Sequence, residues 1–141
     1  MKYSPRHVVC KIEMMLDEAT RADPGLMTAM SIGRDGSENV LEIELANSIR
    51  SARILLCAGY DTVLFDNLYE WRGVWSDDED DGFENAFAIF EFARAYTRGN
   101  FHHGRTRLRG REYVDVNFAL EFSWMPAARA ECWRAYRALR S

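Results

Sequence analysis

The chain has 141 residues, 48% of them hydrophobic and 13% aromatic, with a formal net charge of −4 at pH 7. This aromatic content argues against global disorder, and a chain of this length buries roughly 68–70% of its unfolded surface in one domain. Because no Pro-, Gly- or Ser-rich linker divides it, we expect one domain over residues 1–141. No stretch approaches the roughly 18 uninterrupted apolar residues of a membrane span, and charges interrupt the N-terminal apolar stretch, unlike a secretory signal. We expect a cytoplasmic protein that does not enter a membrane.

The three cysteines are odd in number and far apart in the sequence. Cys10, Cys57 and Cys132 lie among apolar neighbours. Such cysteines are typical of reduced core thiols in a reducing compartment, so we expect all three to be buried and unpaired.

The first third of the chain predicts a helix followed by a hairpin. Pro5 at a first helical turn and apolar residues at helical spacing predict a helix over residues 5–22. Residues 26–32 and 40–45 flank a polar, glycine-containing turn and read as two strands.

The middle of the chain predicts a helix, a strand and an exposed loop. Asn47 as a helix cap and apolar residues at helical spacing predict a helix over residues 47–58. Residues 62–65 read as a strand. The aromatic stretch over residues 69–75 is predicted to cross the surface as a loop.

The last half predicts two helices around two strands. Ser76 and Glu79 form a capping box, and apolar residues then follow with helical spacing to Thr97, on most sides of the predicted helix. Residues 105–109 and 113–122 read as strands, and Pro126 is predicted to open a terminal helix. The fold class is therefore α+β, a mainly antiparallel sheet packed against helices, in the order α-β-β-α-β-α-β-β-α.

Two opposed charge fields are the main functional feature of the sequence. Residues 1–97 carry 9 basic and 18 acidic residues, whereas residues 98–141 carry 9 basic and 4 acidic residues. Such asymmetry indicates either a surface for a charged partner or two regions that neutralise each other in the fold.

Five consecutive acids stand at the predicted start of a helix, where the helix dipole accounts for one or two of them. We favour a solvated helix start as the explanation of the whole run, while the surplus of acids leaves a surface for a basic partner as the next alternative and a bound cation as the last. Aromatic residues beside the acids would supply the anchors of a protein-binding hot spot if they are exposed, or satellite core packing if they are not. The candidate partner-binding residues are Tyr69, Trp71, Trp75, Asp77, Asp78, Glu79, Asp80 and Asp81.

Four arginines recur at every second residue and would stand on one face of a strand as an anion-binding ladder. They are Arg105, Arg107, Arg109 and Arg111. Pairing with carboxylates of neighbouring strands is the alternative that we favour. An acidic pI of about 5.4 opposes direct nucleic-acid binding.

The sequence lacks the common catalytic and metal-binding motifs. It has no phosphate-binding loop, dinucleotide glycine pattern or zinc spacing, and adjacent His102 and His103 would point to opposite sides of an extended chain. We expect no cofactor, no metal and no catalytic residues.

The leading hypothesis is a non-catalytic protein that uses the acidic surface to engage or inhibit a basic macromolecule, such as a nucleic-acid-acting enzyme or toxin. Inhibitors, immunity proteins and antitoxins fit this description. The alternative is a small enzyme or ligand-binding domain with an anion-binding pocket between sheet and helices, using Glu84, Glu91 or His103. A homo-oligomer is a further possibility, based on an arginine face of the predicted last helix.

Overall fold

The structure, a computed structural model, describes residues 5–35, 38–56, 60–74, 82–121 and 125–138. It contains helices α1 and α2 at Pro5–Ala22 and Gly82–Thr97. The strands are β1 (Met27–Asp35), β2 (Glu38–Ala46), β3 (Ser51–Leu56), β4 (Tyr60–Phe65), β5 (Tyr69–Val74), β6 (Phe101–Arg105), β7 (Glu112–Leu120) and β8 (Arg129–Arg137). In the described ranges no helix is long and apolar enough to cross a membrane.

All eight strands belong to one antiparallel sheet, in the order β1-β2-β3-β4-β5-β8-β7-β6. The first five strands form a meander, α2 crosses over, and the last three return toward the middle. There the described residues of β5 and β8 pair at two positions, Tyr69 with Arg137 and Glu70 with Tyr136. The α+β class with an antiparallel sheet is confirmed, whereas the predicted order is wrong, because the chain has eight strands and two helices in the described ranges.

The helices cover one face of the sheet, and α2 lies at the centre of the core. Along β3 the buried residues alternate with half-buried ones, and β7 likewise buries every second residue from Val114 to Leu120, as expected for strands with one covered face. Phe90 and Phe92 of α2 are at most 1% exposed. The predicted burial of this helix over most of its surface is confirmed, since even Ala88 and Ala95, on its expected polar side, are buried.

The predicted helix over residues 47–58 is wrong. Asn47 does cap backbone N–H groups, since its Oδ1 accepts hydrogen bonds from Ile49 and Arg50. These bonds close the turn between β2 and β3 instead of starting a helix. The prediction failed because an Asn side chain accepts hydrogen bonds from the next backbone N–H groups in the same way in a hairpin turn and at a helix cap.

Two further predictions at the sheet centre are wrong. The expected surface loop over residues 69–75 contains β5, and the expected terminal helix is β8. In β8, Trp133 and Ala135 pair with Val116 and Val114 of β7. Pairing along a partly buried strand overrides the helix propensity of a segment rich in alanine and arginine.

The predicted burial of the cysteines is wrong where the structure describes them. Cys10 on α1 and Cys132 on β8 are both exposed and unpaired, because each lies on the side of its element that faces away from the core. Cys57 lies outside the described residues.

Candidate functional site

The acidic segment lies outside the described residues, as do Trp75 and the predicted capping box of Ser76 and Glu79. The predicted partner-binding residues that lie outside the described ranges are Trp75, Asp77, Asp78, Glu79, Asp80 and Asp81. Their described neighbours are Val74, which ends β5, and Gly82, which begins α2.

The two described aromatic candidates pack on the helix-covered face of the sheet. Tyr69 is 7% exposed. Trp71 is half-buried, and its ring stacks on Trp133 with 4.9 Å between centroids and 5° between planes. Phe92 of α2 lies 5.4 Å from the Trp71 ring. Tyr69 and Trp71 therefore contribute core packing, which is the alternative that the sequence left open for them.

The four candidate arginines do not share a strand face. Arg105 ends β6, and the following residues form the turn to β7, in which Gly110 has a φ of 60°. The turn is closed by the Thr106 N–H, which donates to the Arg111 carbonyl at 2.9 Å. The predicted strand over residues 105–109 is wrong because this left-handed glycine turns the chain back.

Each end of this arginine hairpin, defined as residues 105–111, is held by a side-chain contact. The Arg105 guanidinium donates to Glu112 at 2.8 Å. The Arg111 guanidinium lies 4.6 Å from the Tyr136 ring centroid, in a cation–π contact. Arg107 and Arg109 lie in the exposed turn, and neither forms an ion pair with any residue that the structure describes.

Two carboxylates on other strands, those of Asp115 and Glu42, are bound by arginines outside the ladder. Asp115 accepts two hydrogen bonds from Arg134, at 2.7 and 3.0 Å, and this bonding raises the pKa of the Arg134 guanidinium. Glu42 accepts a hydrogen bond from Arg53 at 2.5 Å. Of the four candidate arginines, Arg105 forms an ion pair, with Glu112, whereas Asp115 and Glu42 are bound by arginines outside the ladder.

An open pocket of about 430 Å³ lies beside the arginine hairpin, where the helix-covered face of the sheet reaches solvent. The Tyr69 hydroxyl lies 3.4 Å from His103 Nδ1. Arg137 approaches Glu112 to 3.7 Å, so this carboxylate has two guanidinium neighbours. The pocket is lined by Tyr69, His103, Gly104, Arg105 and Glu112.

The pocket lining carries one guanidinium, that of Arg105, which is bonded to the one carboxylate, that of Glu112. The Tyr69 hydroxyl and the His103 imidazole add hydrogen-bonding atoms that could contact an anion beside Arg105. Sequence reasoning missed Glu112 and Arg137 because they belong to strands whose pairing was not predicted.

The arginine hairpin and the residues that flank the acidic segment lie at opposite ends of the sheet. The last turn of α2 contacts the β2–β3 turn, since Asn47 Nδ2 donates to the Thr97 carbonyl at 2.8 Å. The β4–β5 turn is at the same end, because the Asp66 N–H donates to the Ser51 carbonyl. Tyr69 follows this turn and lines the pocket beside the hairpin.

Val74 lies five residues beyond Tyr69 along β5, which corresponds to roughly 17 Å. Gly82 lies at the other end of α2, a helix of 16 residues and so about 24 Å long. The flanks of the acidic segment are therefore separated from the arginine hairpin by the length of an element.

Glu91, a candidate acid of the alternative enzyme hypothesis, belongs to an ion cluster between the helices. Burial raises the pKa of Glu91 even though Arg94 and Arg98 oppose this shift. The Arg94 guanidinium lies 3.7 Å from the Glu91 carboxylate and also binds Glu18 and Asp23 of the α1 segment. This arrangement joins α2 to α1 and to the residue that follows it, Asp23. The side chain of Glu84 lies outside the described residues.

Among the described residues, no three His, Cys, Asp or Glu side chains come together in a way that could hold a metal ion. No known protein family, no curated protein and no solved structure matches the chain.

Proposed function

We propose that the chain is a cytosolic binding protein without catalysis that engages a basic macromolecular partner through its acidic segment, residues 77–81. The partner class is a nucleic-acid-acting enzyme or toxin, so the protein would serve as an inhibitor, immunity protein or antitoxin. The observation that carries this proposal is the separation between the arginine hairpin and the flanks of the acidic segment, at opposite ends of the sheet.

The pairing of the described arginines also supports the proposal. Arginines that pair with other carboxylates have less charge left to neutralise residues 77–81. The arginines with such partners are Arg53, Arg72, Arg94, Arg98, Arg105, Arg129, Arg134 and Arg137.

An uncompensated acidic segment suits inhibition of a protein that acts on nucleic acid. Five carboxylates in sequence would occupy a groove built for a phosphate backbone, and their field would accelerate association with a basic partner. Because Tyr69 and Trp71 pack in the core, we expect the charge of residues 77–81 to dominate recognition of the partner. Trp75 is the remaining aromatic candidate for a contact.

The test begins with capture of the partner. Native mass spectrometry of the tagged protein, purified gently from its source lysate, is expected to show a stoichiometric protein companion that dissociates at high salt. Association kinetics are then compared between the parent and a variant with Asp77→Asn, Asp78→Asn, Asp80→Asn and Asp81→Asn. We expect an association rate at least tenfold lower at low salt.

A matched control changes the net charge equally at exposed acids elsewhere. Its substitutions are Glu13→Gln, Asp17→Asn, Glu44→Gln and Glu121→Gln. If this control slows association as much as the first variant, net charge and not the acidic segment carries recognition. Unchanged association of the first variant would contradict the proposal directly.

A second function is favoured by the pocket of about 430 Å³. Arg105, His103 and the Tyr69 hydroxyl around one cavity would suit a small anion with a planar group, bound against the two rings. Titration with phenyl phosphate, followed by the NMR signals of the His103 ring, tests this function. Saturable shifts that Arg105→Gln abolishes and Arg72→Gln leaves intact would support it, and an absence of shifts at millimolar probe would exclude it.

A further inference from the structure

Strand β1 forms one edge of the sheet in the ranges that the structure describes. We propose that β1 pairs with β1 of a second copy, antiparallel and centred on Ser31, so that two sheets join into one across a twofold axis. This inference does not depend on the proposed function.

In the described part of the chain, β1 is bonded to a strand on one side only. It is the first strand of the sheet order, and all nine of its residues pair with β2. In an antiparallel sheet, alternate residues of such an edge strand direct their N–H and C=O groups outward. These groups form a template for another strand.

The first seven residues of β1 lack the features that normally prevent edge pairing, and the charges of the strand stand at its end, at Arg34 and Asp35. Residues 27–33, Met-Thr-Ala-Met-Ser-Ile-Gly, contain no charge and no proline. The opposite edge, β6, is five residues long and contains His102, His103 and Arg105. Because short, charged edges resist strand addition, the contrast singles out β1.

Exposed apolar side chains concentrate around this edge. Met27 and Ile32 of β1 are 69% and 59% exposed. Ile49, 73% exposed, lies in the turn after β2, next to the Met27 end of β1, since Met27 pairs with Ala46. A strand edge alone is small against the roughly 800 Å² per partner of a stable interface, so these side chains supply necessary area.

The strand is complementary to itself in one register. Centred on Ser31, antiparallel pairing places Met30 opposite Ile32 of the second copy on the helix-covered face, and Ile32 opposite Met30. On the other face Ala29 lies opposite Gly33. The charged residues at the strand end lie opposite Met27 and Thr28, so no like charges meet. The geometry is isologous and closed, which yields a dimer and no filament.

Light scattering of the full chain tests the mass. We expect twice the chain mass of 16.3 kDa at about 100 μM and a Kd at least roughly tenfold weaker for Ile32→Lys, since the substitution puts a charge opposite Met30. Leu108→Lys is the matched control, because Leu108 is 99% exposed on the arginine hairpin, and it is expected to leave the Kd unchanged. A monomer at about 100 μM, or equal effects of the two variants, overturns the inference.

Cross-linking tests the register separately. Ser31→Cys is expected to form a disulfide between the substituted positions of two copies under mild oxidation, identified by peptide mapping against Cys10 and Cys132, whereas Ser48→Cys, exposed in the β2–β3 turn, is not. A dimer whose Ser31→Cys variant fails to cross-link, or cross-links no faster than Ser48→Cys, contradicts the proposed pairing.

Discussion

Arg94 of α2 donates two hydrogen bonds to the carboxylate of Asp23, from Nε at 3.0 Å and from Nη2 at 3.3 Å. Asp23 follows α1, so the contact joins the two helices over the sheet. Arg94 is 5% exposed, and Glu18 accepts a further hydrogen bond from its Nη1 at 2.9 Å. The buried Arg94 guanidinium thus contacts the carboxylates of Asp23, Glu18 and Glu91, and its loss would leave Asp23 with Arg98 as its remaining described ion-pair partner.

Arg94→Met is expected to lower the free energy of unfolding by about 3 kcal/mol, because it leaves Asp23 partly buried without this partner. Urea unfolding followed by circular dichroism measures the change. The control is Arg72→Met, which removes an exposed pair with Glu70 and is expected to cost less than about 1 kcal/mol. If the two variants lose the same free energy of unfolding, the ion pairs of Arg94 stabilise the fold no more than an exposed pair does.

Asp23 and Glu91 are expected to affect stability with opposite signs. Burial opposes ionisation of Asp23, but hydrogen bonds and charge from Arg98 and Arg94 outweigh it, so the pKa lies below its ordinary value of 3.8. Its stabilising contribution is present above pH 3.8 and is lost as the pH falls through the folded-state pKa. Asp23→Asn should therefore be less stable than the parent at pH 7, with the difference shrinking in acid.

Burial raises the pKa of Glu91 above its ordinary value of 4.5. The ionised form is thus costly in the folded state, and stability falls as the pH rises from 4.5 through the raised pKa. Glu91→Gln should be more stable than the parent at pH 7, and this gain should vanish below pH 4.5. Urea midpoints measured from pH 3 to pH 7 check both variants, and differences of the same sign at pH 7 would contradict the assignment.

Gly73 is required by the Trp71 ring, which lies over it. A Cβ at Gly73 would overlap the ring, with Trp71 Cζ2 and Cζ3 at 3.1 Å. Gly73→Ala is expected to destabilise the fold by about 1–3 kcal/mol through overpacking and to alter the near-ultraviolet circular dichroism of the Trp71–Trp133 stack. Gly33→Ala is the matched control in a strand, since a Cβ there meets nothing within 4 Å of its own chain. If Gly33→Ala lowers the free energy of unfolding by the same amount, backbone propensity and not overlap with the Trp71 ring is responsible for the effect.

Tyr96 binds the β4–β5 turn through its hydroxyl, which donates to Asp66 at 2.5 Å. Burial, with the Asp66 hydrogen bond and charge, raises the pKa of Tyr96 above its ordinary value of 10. Tyr96→Phe should lose about 1–2 kcal/mol at pH 7 because a hydrogen bond to a charged group is removed. Above pH 10 the parent also loses stability, since the unfolded tyrosine ionises there and the folded one does not. The difference in the free energy of unfolding between parent and Tyr96→Phe should therefore narrow as the pH rises. A difference that stays constant up to pH 11 would contradict the raised pKa of Tyr96.

Elements with a clear period were predictable from sequence. The alternation of Val114, Val116 and Phe118 gave β7, and the apolar residues on most sides of residues 82–97 gave a buried α2. The β2–β3 turn was not predictable, because the cap-like bonds of Asn47 serve a turn as well as a helix. Strand β8 was missed because its burial comes from pairing with β7, a contact that local spacing does not encode.

The candidate site was predictable only in part. Alternating arginines favour a strand face, but Gly110 adopts a left-handed conformation and places Arg107 and Arg109 in a turn. The burial of Tyr69 and Trp71 could not be predicted, because it depends on which face of β5 they occupy and residues 69–75 were predicted to form a loop. Long-range pairing therefore decided which polar groups, such as Glu112 and Arg137, came together beside Tyr69.

The two shared positions between β5 and β8 have a consequence for the chain as a whole. Beside this junction and the stacked rings of Trp71 and Trp133, α2 joins the five-stranded and three-stranded meanders, because it packs on β3 of the first and β7 of the second. A break just before α2 would divide the chain into fragments 1–81 and 82–141, each of which retains a complete meander, and the second fragment would carry the helix that packs on the first. We therefore expect the two fragments, expressed separately, to reassemble through α2 and the paired ends of β5 and β8.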